Sequence, residues 1–372
     1  MTAPTTAAAT APVIEDLSAY VIAGRVKARP SPESETAART PAQGVDDGVQ
    51  AEQIGFRRVF LSERWNLKEA GALLGGIAAR TTRIGVGTGV IPPAARHPLH
   101  AAGFASTMHG AYGPRFVLGL GRGDNDVMRG LGMWAANFDA LRDYVSIVRR
   151  LWDGETVSYD GPAGHYPKLA LPDLHDGPHP QIWFGTFGLP KAAQVVAECM
   201  DGILLVPNMT PDATRAAVQR LREACERIGR DPATLRIAQC VVTAPELDDI
   251  ETRQIVHARA LTYLESPGWG RSLCRLNGWD PAVLDTIAAH EQLRGADVIA
   301  DARYHRSELM EPAKLVPEGW MRESAAYGSI GDCLTMFERF RDAGADELVT
   351  YGSTPGQNAT LAHAWANGAR HA

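Results

Sequence analysis

The chain lacks both an excess of positive charge and long apolar runs. Its 372 residues include 37 Lys and Arg against 43 Asp and Glu, a formal net charge of −6. Nucleic-acid-binding proteins need a cationic face, and so do basic proteins that bind the membrane surface. The negative net charge therefore argues against both classes. No run of about 18 apolar residues occurs, which argues against a transmembrane helix.

Cysteine is scarce as well. The five cysteines are odd in number and widely spaced, and no C-x-x-C motif occurs. Scattered thiols of this kind are typical of reduced cytoplasmic proteins. The first residues also lack a basic segment followed by an apolar stretch, which argues against a secretory signal. We therefore expect a cytoplasmic protein whose residues 1–16 form a disordered tail.

Apolar segments bounded by turn residues recur along the rest of the chain. Most are continuously apolar, as expected of strands buried on both faces of a parallel sheet. The predicted strands are Tyr20–Ala23, Arg58–Leu61, Ile84–Val86, Phe116–Leu120, Ile182–Phe184, Ile203–Val206, Ile237–Val242 and Leu348–Tyr351.

The segments between these strands have helical periodicity. Apolar residues recur every three or four positions in 138–152, and Pro98 and Pro190 stand where helices should begin. Alternating strands and helices predict an α/β protein, and eight units favour a closed TIM-type (β/α)8 barrel. We expect one barrel domain over 17–372 with insertions near 153–180 and 266–329. A doubly wound open sheet is the structural alternative.

Glycines are concentrated where two predicted strands end. The segment from Arg83 to Asp124 contains two short apolar strands, each followed by a glycine run, with a helix between them. Glycine has no Cβ, and it weakens a strand unless something approaches its backbone closely. A ligand that lies across the carboxyl ends of parallel strands would explain this pattern.

Several motifs, in order along the chain, resemble the bacterial luciferase-like monooxygenases. They occupy 51–65, 78–90, 96–98, 113–123, 177–188, 201–206 and 341–349. The resemblance implies a TIM-like barrel that binds a flavin, or the deazaflavin coenzyme F420, at its carboxyl-terminal face. The L-S-E-R-W motif at 61–65 and the Trp-rich insertion favour the F420-dependent oxidoreductase branch.

The activity implied by this resemblance is hydride transfer between coenzyme F420 and an unidentified organic substrate. One alternative is an FMN-dependent monooxygenase of the same fold, and another is a non-catalytic flavin-binding member. We expect a small-molecule substrate, no nucleic-acid or membrane partner, and a homodimer. Two histidine pairs lack a carboxylate or thiol at ligand spacing, so no metal site is predicted.

Three strand ends carry the cofactor-binding residues that the resemblance implies. At the third strand the bond between Gly89 and Val90 is the candidate for a non-prolyl cis peptide that backs the ring. The loop after the fourth strand offers backbone N–H groups and the Asn125 amide. Residues 185–188 precede a helix, whose free N–H groups suit a phosphate, with Lys191 as an extra cation. The cofactor-binding residues are Ser62, Thr88, Gly89, Val90, Gly121, Asn125, Gly185, Thr186, Phe187 and Gly188.

The predicted catalytic residues are Glu63, Arg64 and Arg122. Members of the family usually place an acidic residue and then histidine at the end of the second strand. Here those positions hold Glu63 and Arg64. Arginine cannot shuttle protons near neutral pH, but it can stabilise an anionic ring or an anionic substrate. Arg122 stands near the position of a glutamate in the family's sugar dehydrogenases, which places the same acid chemistry in doubt. An ordinary surface ion pair is the alternative for residues 63 and 64.

Overall fold

The computed structural model describes residues 11–24, 39–63, 68–123, 125–295 and 299–368. Eight of its strands are parallel and close into a barrel in the order β1–β2–β3–β4–β7–β8–β9–β11, with β11 pairing back to β1. The strands are β1 Leu17–Tyr20, β2 Arg58–Leu61, β3 Gly85–Thr88, β4 Phe116–Leu120, β5 Val157–Gly161, β6 Gly164–Leu169, β7 Gln181–Thr186, β8 Gly202–Leu205, β9 Arg236–Pro245, β10 Ala325–Gly328 and β11 Glu347–Tyr351.

Helices surround the barrel. They are α1 Pro41–Ile54, α2 Ala70–Ala79, α3 Pro98–Tyr112, α4 Asn125–Gly130, α5 Phe138–Trp152, α6 Pro190–Cys199, α7 Pro211–Arg227, α8 Asp249–Leu264, α9 Pro267–Asn277, α10 Ala282–Ala289, α11 Ala300–Arg303, α12 Met310–Ala313, α13 Glu318–Ser324, α14 Ile330–Asp342 and α15 Ala359–Gly368. The predicted TIM-type barrel is therefore confirmed, and the open-sheet alternative is wrong because the sheet closes between β1 and β11.

The first strand begins earlier than predicted. The sequence pattern places it at Tyr20–Ala23, whereas β1 spans Leu17–Tyr20 and pairs with β11 from Leu17 onward. The reason is Ser18, a fully buried polar residue that interrupts the apolar run and donates a hydrogen bond to the Glu347 carboxylate at 2.5 Å. The other predicted strands overlap the observed ones, and those at 58–61 and 116–120 have the predicted bounds.

Residues 11–16, which the composition assigns to the tail, pack against the barrel. Ile14 is buried and forms a parallel bridge with Phe56, and Asp16 accepts a hydrogen bond from the Trp365 indole at 3.1 Å. The remaining tail residues, 1–10, lie outside the described part of the chain.

The amino-terminal end of the barrel interior is closed by a charged cluster. The Glu347 carboxylate is fully buried and contacts Arg58 and Arg236, the latter at 3.0 Å. The Arg58 guanidinium also lies 5.0 Å from the centre of the Trp183 ring. Because each charge has a partner, the cluster can fill the barrel interior without an isolated buried ion.

The two segments that the sequence predicts as insertions contain elements outside the eight-stranded barrel. Residues 153–180 contain the antiparallel hairpin of β5 and β6. Residues 266–329 contain α9 to α13 and β10, which pairs with the end of β9. Within this insertion the rings of Trp279 and Trp320 stack with centroids 4.5 Å apart. In the described part of the chain, no helix combines the length and apolarity that crossing a bilayer requires.

Candidate active site at the barrel mouth

Three strand ends converge on one side chain at the mouth of the barrel. The Gly89–Val90 peptide bond after β3 is cis, at the position that the family resemblance implies. A Cβ built on Gly121, after β4, would lie 2.3 Å from Val90 Cγ2, and one built on Gly185, in β7, would lie 2.9 Å from Val90 Cγ1. The Val90 side chain therefore occupies the space that these two glycines leave open.

Contacts within the protein explain the strand glycines without a ligand. A Cβ at Gly87 would lie 2.8 Å from the Phe60 ring, and one at Gly89 would lie 2.6 Å from the Tyr20 hydroxyl. At Gly119 it would lie 1.8 Å from the Thr88 carbonyl oxygen. The close approach expected from the sequence is present, but it comes from neighbouring strands.

We call the Gly89–Val90 segment the bulge. A cavity of about 150 Å³ lies next to it and is lined by Ser62, which contacts the Gly89 carbonyl. The ends of β1, β2 and β11 contribute Tyr20, Ser62 and Tyr351, and α8 contributes Arg259. Part of the second insertion, residues 301–309, forms another wall. The cavity thus lies at the carboxyl-terminal face of the barrel, where TIM-barrel enzymes carry their active sites.

Hydrogen bonds connect the cavity floor to the cis peptide. The Ser62 hydroxyl donates to the Gly89 carbonyl oxygen at 3.0 Å, and it lies 3.1 Å from the Tyr20 hydroxyl. Thr88 is fully buried and donates its hydroxyl to the Gly119 carbonyl at 2.8 Å. Ser62 and Thr88 thus fix the backbone of the bulge and its neighbouring strand.

Arg259 and two tyrosines form a second network on the cavity wall. Arg259 donates to the Asp301 carboxylate at 2.9 Å and to the Tyr351 hydroxyl. The Tyr263 hydroxyl lies 3.1 Å from that of Tyr351. Burial disfavours the Arg259 cation, but Tyr351, Asp301 and Tyr263 raise the pKa of its guanidinium well above the ordinary value, so it stays charged.

At the other two strand ends, some polar groups lack a hydrogen-bond partner within the described part of the protein. Asn125 begins α4, and its Oδ1 atom is buried without a hydrogen-bond partner among the described residues. In the loop at 185–188, the Gly188 N–H donates to the Thr186 hydroxyl at 3.2 Å. The next helix, α6, begins after Leu189 with no side-chain cap. Phe187 is half-buried against the core.

Arg220 is a cation at this loop that the sequence did not reveal. Its Nε donates to the Gly188 carbonyl at 3.1 Å, and its Nη2 atom is buried with no partner in the described part of the chain. Burial lowers the pKa of its guanidinium. Lys191, which the sequence analysis gave as an extra cation for the phosphate, is exposed on the first turn of α6.

Two of the predicted catalytic residues, Glu63 and Arg122, do not line the cavity. The Glu63 carboxylate accepts a hydrogen bond from the Ala70 N–H at 2.8 Å and lies 3.4 Å from Arg96, so it anchors the start of α2. The Arg122 guanidinium packs 4.3 Å from the centre of the Phe138 ring, and burial lowers its pKa. Arg64 lies outside the described residues.

Sequence reasoning missed Tyr20, Arg259 and Tyr351. Tyr351 is followed by Gly352, which has a φ of 92° and lies just after the last strand. This Tyr-Gly pair in the sequence could have indicated a strand end at the barrel mouth. Arg259 lies within a helix and carries no local signal. Among the described residues no three His, Cys, Asp or Glu side chains are grouped as a metal site would require.

Comparisons with known proteins identify the family of the chain. The model of the luciferase-like monooxygenase family matches residues 20–347. The chain is 32% identical over 205 residues to an F420-dependent glucose-6-phosphate dehydrogenase of Nakamurella multipartita, a match that covers 51% of this chain and 60% of that protein. It is 25% identical over 311 residues to a 5,10-methylenetetrahydromethanopterin reductase of Methanolobus tindarius, covering 83% and 89% of the two chains.

Solved structures share the fold. The coenzyme F420-dependent tetrahydromethanopterin reductase of Methanopyrus kandleri superimposes with a TM-score of 0.71 at 18% identity, over 91% of this chain and 93% of that one. An EDTA monooxygenase of Chelativorans superimposes with a TM-score of 0.65 at 13% identity, over 96% and 93%. The family match, which spans most of the barrel, shows that the chain belongs to the luciferase-like monooxygenase family.

Proposed function

We propose that this protein is an F420-dependent oxidoreductase that transfers a hydride between the deazaflavin and an organic substrate bound in the mouth cavity. The observation that carries the proposal is the convergence of three strand ends on the Val90 side chain, beside a cis peptide and a cavity. The similarity to an F420-dependent dehydrogenase supports the choice of cofactor.

The residues present fit a ring with a phosphate tail. The bulge at Gly89–Val90 would support the ring, and the unpartnered Asn125 Oδ1 would accept a hydrogen bond from it or from its polyol chain. The uncapped start of α6 and the open Nη2 of Arg220 would hold the phosphate. When bound, coenzyme F420 supplies a carbon that accepts or donates a hydride.

The protein's own residues would orient the reactants. Ser62 and Tyr20 hold the bulge, so a ring placed on it would meet a fixed surface. Residues 301–309 form one wall against which a substrate would be positioned. Positioning of two reactants in this way can lower the barrier of a bimolecular reaction by several kcal/mol, about 7–11 in the best cases.

Titration of the purified protein with F420 and with FMN, followed by fluorescence quenching, tests the proposal. We expect saturable binding of F420 at micromolar concentration. Micromolar FMN binding without F420 binding would overturn the cofactor assignment and favour the FMN-dependent monooxygenase. Binding of neither would overturn both. Binding of F420 without turnover across a panel of alcohols and carbonyl compounds would favour the non-catalytic alternative.

A further inference from the structure

A tyrosine hydroxyl on the cavity wall has two hydrogen-bond partners. Tyr351 ends β11, lines the cavity and is 6% exposed. Arg259 donates one hydrogen bond to its oxygen, and the Tyr263 hydroxyl lies 3.1 Å from that oxygen. A phenol oxygen has two lone pairs and carries one proton. The direction of the Tyr263 bond therefore decides where the Tyr351 proton points.

The surroundings of Tyr263 favour it as the donor in this pair. Burial raises the pKa of Tyr263 well above its ordinary value, so its hydroxyl keeps its proton. In the described part of the chain, the acceptor within its reach is the Tyr351 oxygen. Tyr263 is partly buried against the core, and hydroxyl groups removed from water are almost always satisfied as donors. Both lone pairs of the Tyr351 oxygen are then used, and its own proton is left to be donated towards the cavity.

The arrangement is fixed by ion pairing and ring contacts. The second arm of the Arg259 guanidinium is bonded to Asp301 at 2.9 Å. The guanidinium carbon lies 5.0 Å from the Tyr351 ring centre and 5.3 Å from that of Tyr263. Arg259 thus acts through Tyr351 as a positioning residue, and its charge faces the phenol oxygen.

Tyr351 is also close to the proposed ring site. Its ring contacts that of Tyr20 edge-on, with centroids 4.8 Å apart. The Tyr20 hydroxyl in turn contacts Ser62, which donates to the Gly89 carbonyl of the cis peptide. One aromatic ring therefore separates the Tyr351 side chain from the bulge.

We propose that Tyr351 donates a hydrogen bond to an oxygen of the substrate, and that the substrate class is an alcohol and its carbonyl counterpart. The inference rests on the proposed function, because it names the substrate class of the same site. A donor that faces a cavity needs an acceptor oxygen, and a carbonyl or hydroxyl oxygen meets that need.

The same hydroxyl balances the protons of the reaction. When a carbonyl is reduced, its carbon gains the hydride, which the reduced deazaflavin of the proposed function supplies. The π electron pair moves to the oxygen, which takes the Tyr351 proton as the phenol O–H bond breaks. The negative charge left on the Tyr351 oxygen faces the Arg259 guanidinium and the Tyr263 hydroxyl. In the oxidation direction each step is reversed.

Isotope-edited infrared spectroscopy of bound cyclohexanone, labelled with carbon-13 at the carbonyl, tests this inference without the cofactor. In the wild-type protein we expect the carbonyl band at a lower frequency than in the Tyr351→Phe variant, because a hydrogen bond to the oxygen weakens the C=O bond. We expect the variant to bind cyclohexanone about fivefold more weakly, the worth of one hydrogen bond. The control Tyr166→Phe removes a hydroxyl bonded to the Ala163 carbonyl, away from the cavity lining, and should keep the wild-type band.

Equal band positions in the wild type and the Tyr351→Phe variant would overturn the inference, as would a wild-type protein that binds no cyclohexanone. Urea denaturation of each variant shows whether it is folded, and an unfolded Tyr351→Phe protein is replaced by Arg259→Lys, which keeps the phenol and should reduce the band shift. The protein could also bind no F420 and still show a carbonyl band shift that depends on Tyr351. That result would overturn the proposed cofactor, but Tyr351 would remain the hydrogen-bond donor to the substrate oxygen.

Discussion

Substitution of Gly121 by alanine tests whether the Val90 side chain shapes the mouth of the barrel. The new Cβ would lie 2.3 Å from Val90 Cγ2, closer than real Cβ atoms approach another heavy atom. Either Val90 or the end of β4 must move. Overpacking of this kind costs about 1–3 kcal/mol of the free energy of unfolding. Because Val90 belongs to the surface proposed to support the ring, we also expect weaker F420 binding in the fluorescence titration.

The companion substitution Val90→Ala isolates that contact. It removes both Cγ atoms, and the nearest remaining atom of residue 90 to the new Cβ is its own Cβ at 3.3 Å. In this background Gly121→Ala should cost less, so a double-mutant cycle in urea should give a coupling energy of about 1–2 kcal/mol. A coupling energy clearly different from zero is the diagnostic result, because a general effect of alanine on the loop would be additive and give no coupling.

Gly110→Ala is the matched control. Gly110 lies within α3, and no atom lies within 4 Å of the Cβ that alanine would add. We expect this variant to be more stable than the wild type by about 0.5–1 kcal/mol, since alanine favours the helix. A Gly121→Ala protein with wild-type stability, or an equal cost with and without Val90, would refute the assignment of the contact.

Three further predictions concern single polar groups. Asn125→Ala should weaken F420 binding about threefold to tenfold while leaving stability unchanged, because its Oδ1 has no partner among the described residues; a large loss of stability in urea would contradict this. Glu347→Gln should destabilise the barrel by about 3–5 kcal/mol, because it leaves the neighbouring arginines, including Arg58, without their carboxylate; wild-type stability would show that the cluster is not held by charge. Burial raises the pKa of the Glu265 carboxyl to about 7 from 4.5, so its contribution to stability is complete below pH 4.5 and is lost as pH rises through 7. The urea midpoint should therefore fall over that pH range in the wild type relative to Glu265→Gln, and parallel pH profiles would rule out this role.

Much of the barrel follows from the sequence. Strands buried on both faces need continuous apolar runs, and the runs at 58–61 and 116–120 mark β2 and β4 with their observed bounds. The same logic fails at Ser18, because a polar residue can be buried in a barrel strand when a carboxylate on the neighbouring strand β11 bonds to it. No local pattern reports such a partner, since the two residues are 329 positions apart.

The sequence likewise indicated only part of the candidate site. The family motifs in the sequence indicated the bulge at Gly89–Val90 and the glycine-bearing strand ends, because these features depend on adjacent residues and on the order of the strands. Only closure of the barrel brings the last strand beside the first and lays α8 over both, so that Arg259 meets Tyr351 across 92 positions of chain. Hydrogen bonds between distant side chains depend on packing in three dimensions, which is why the donors that face the cavity were decided by the tertiary structure alone.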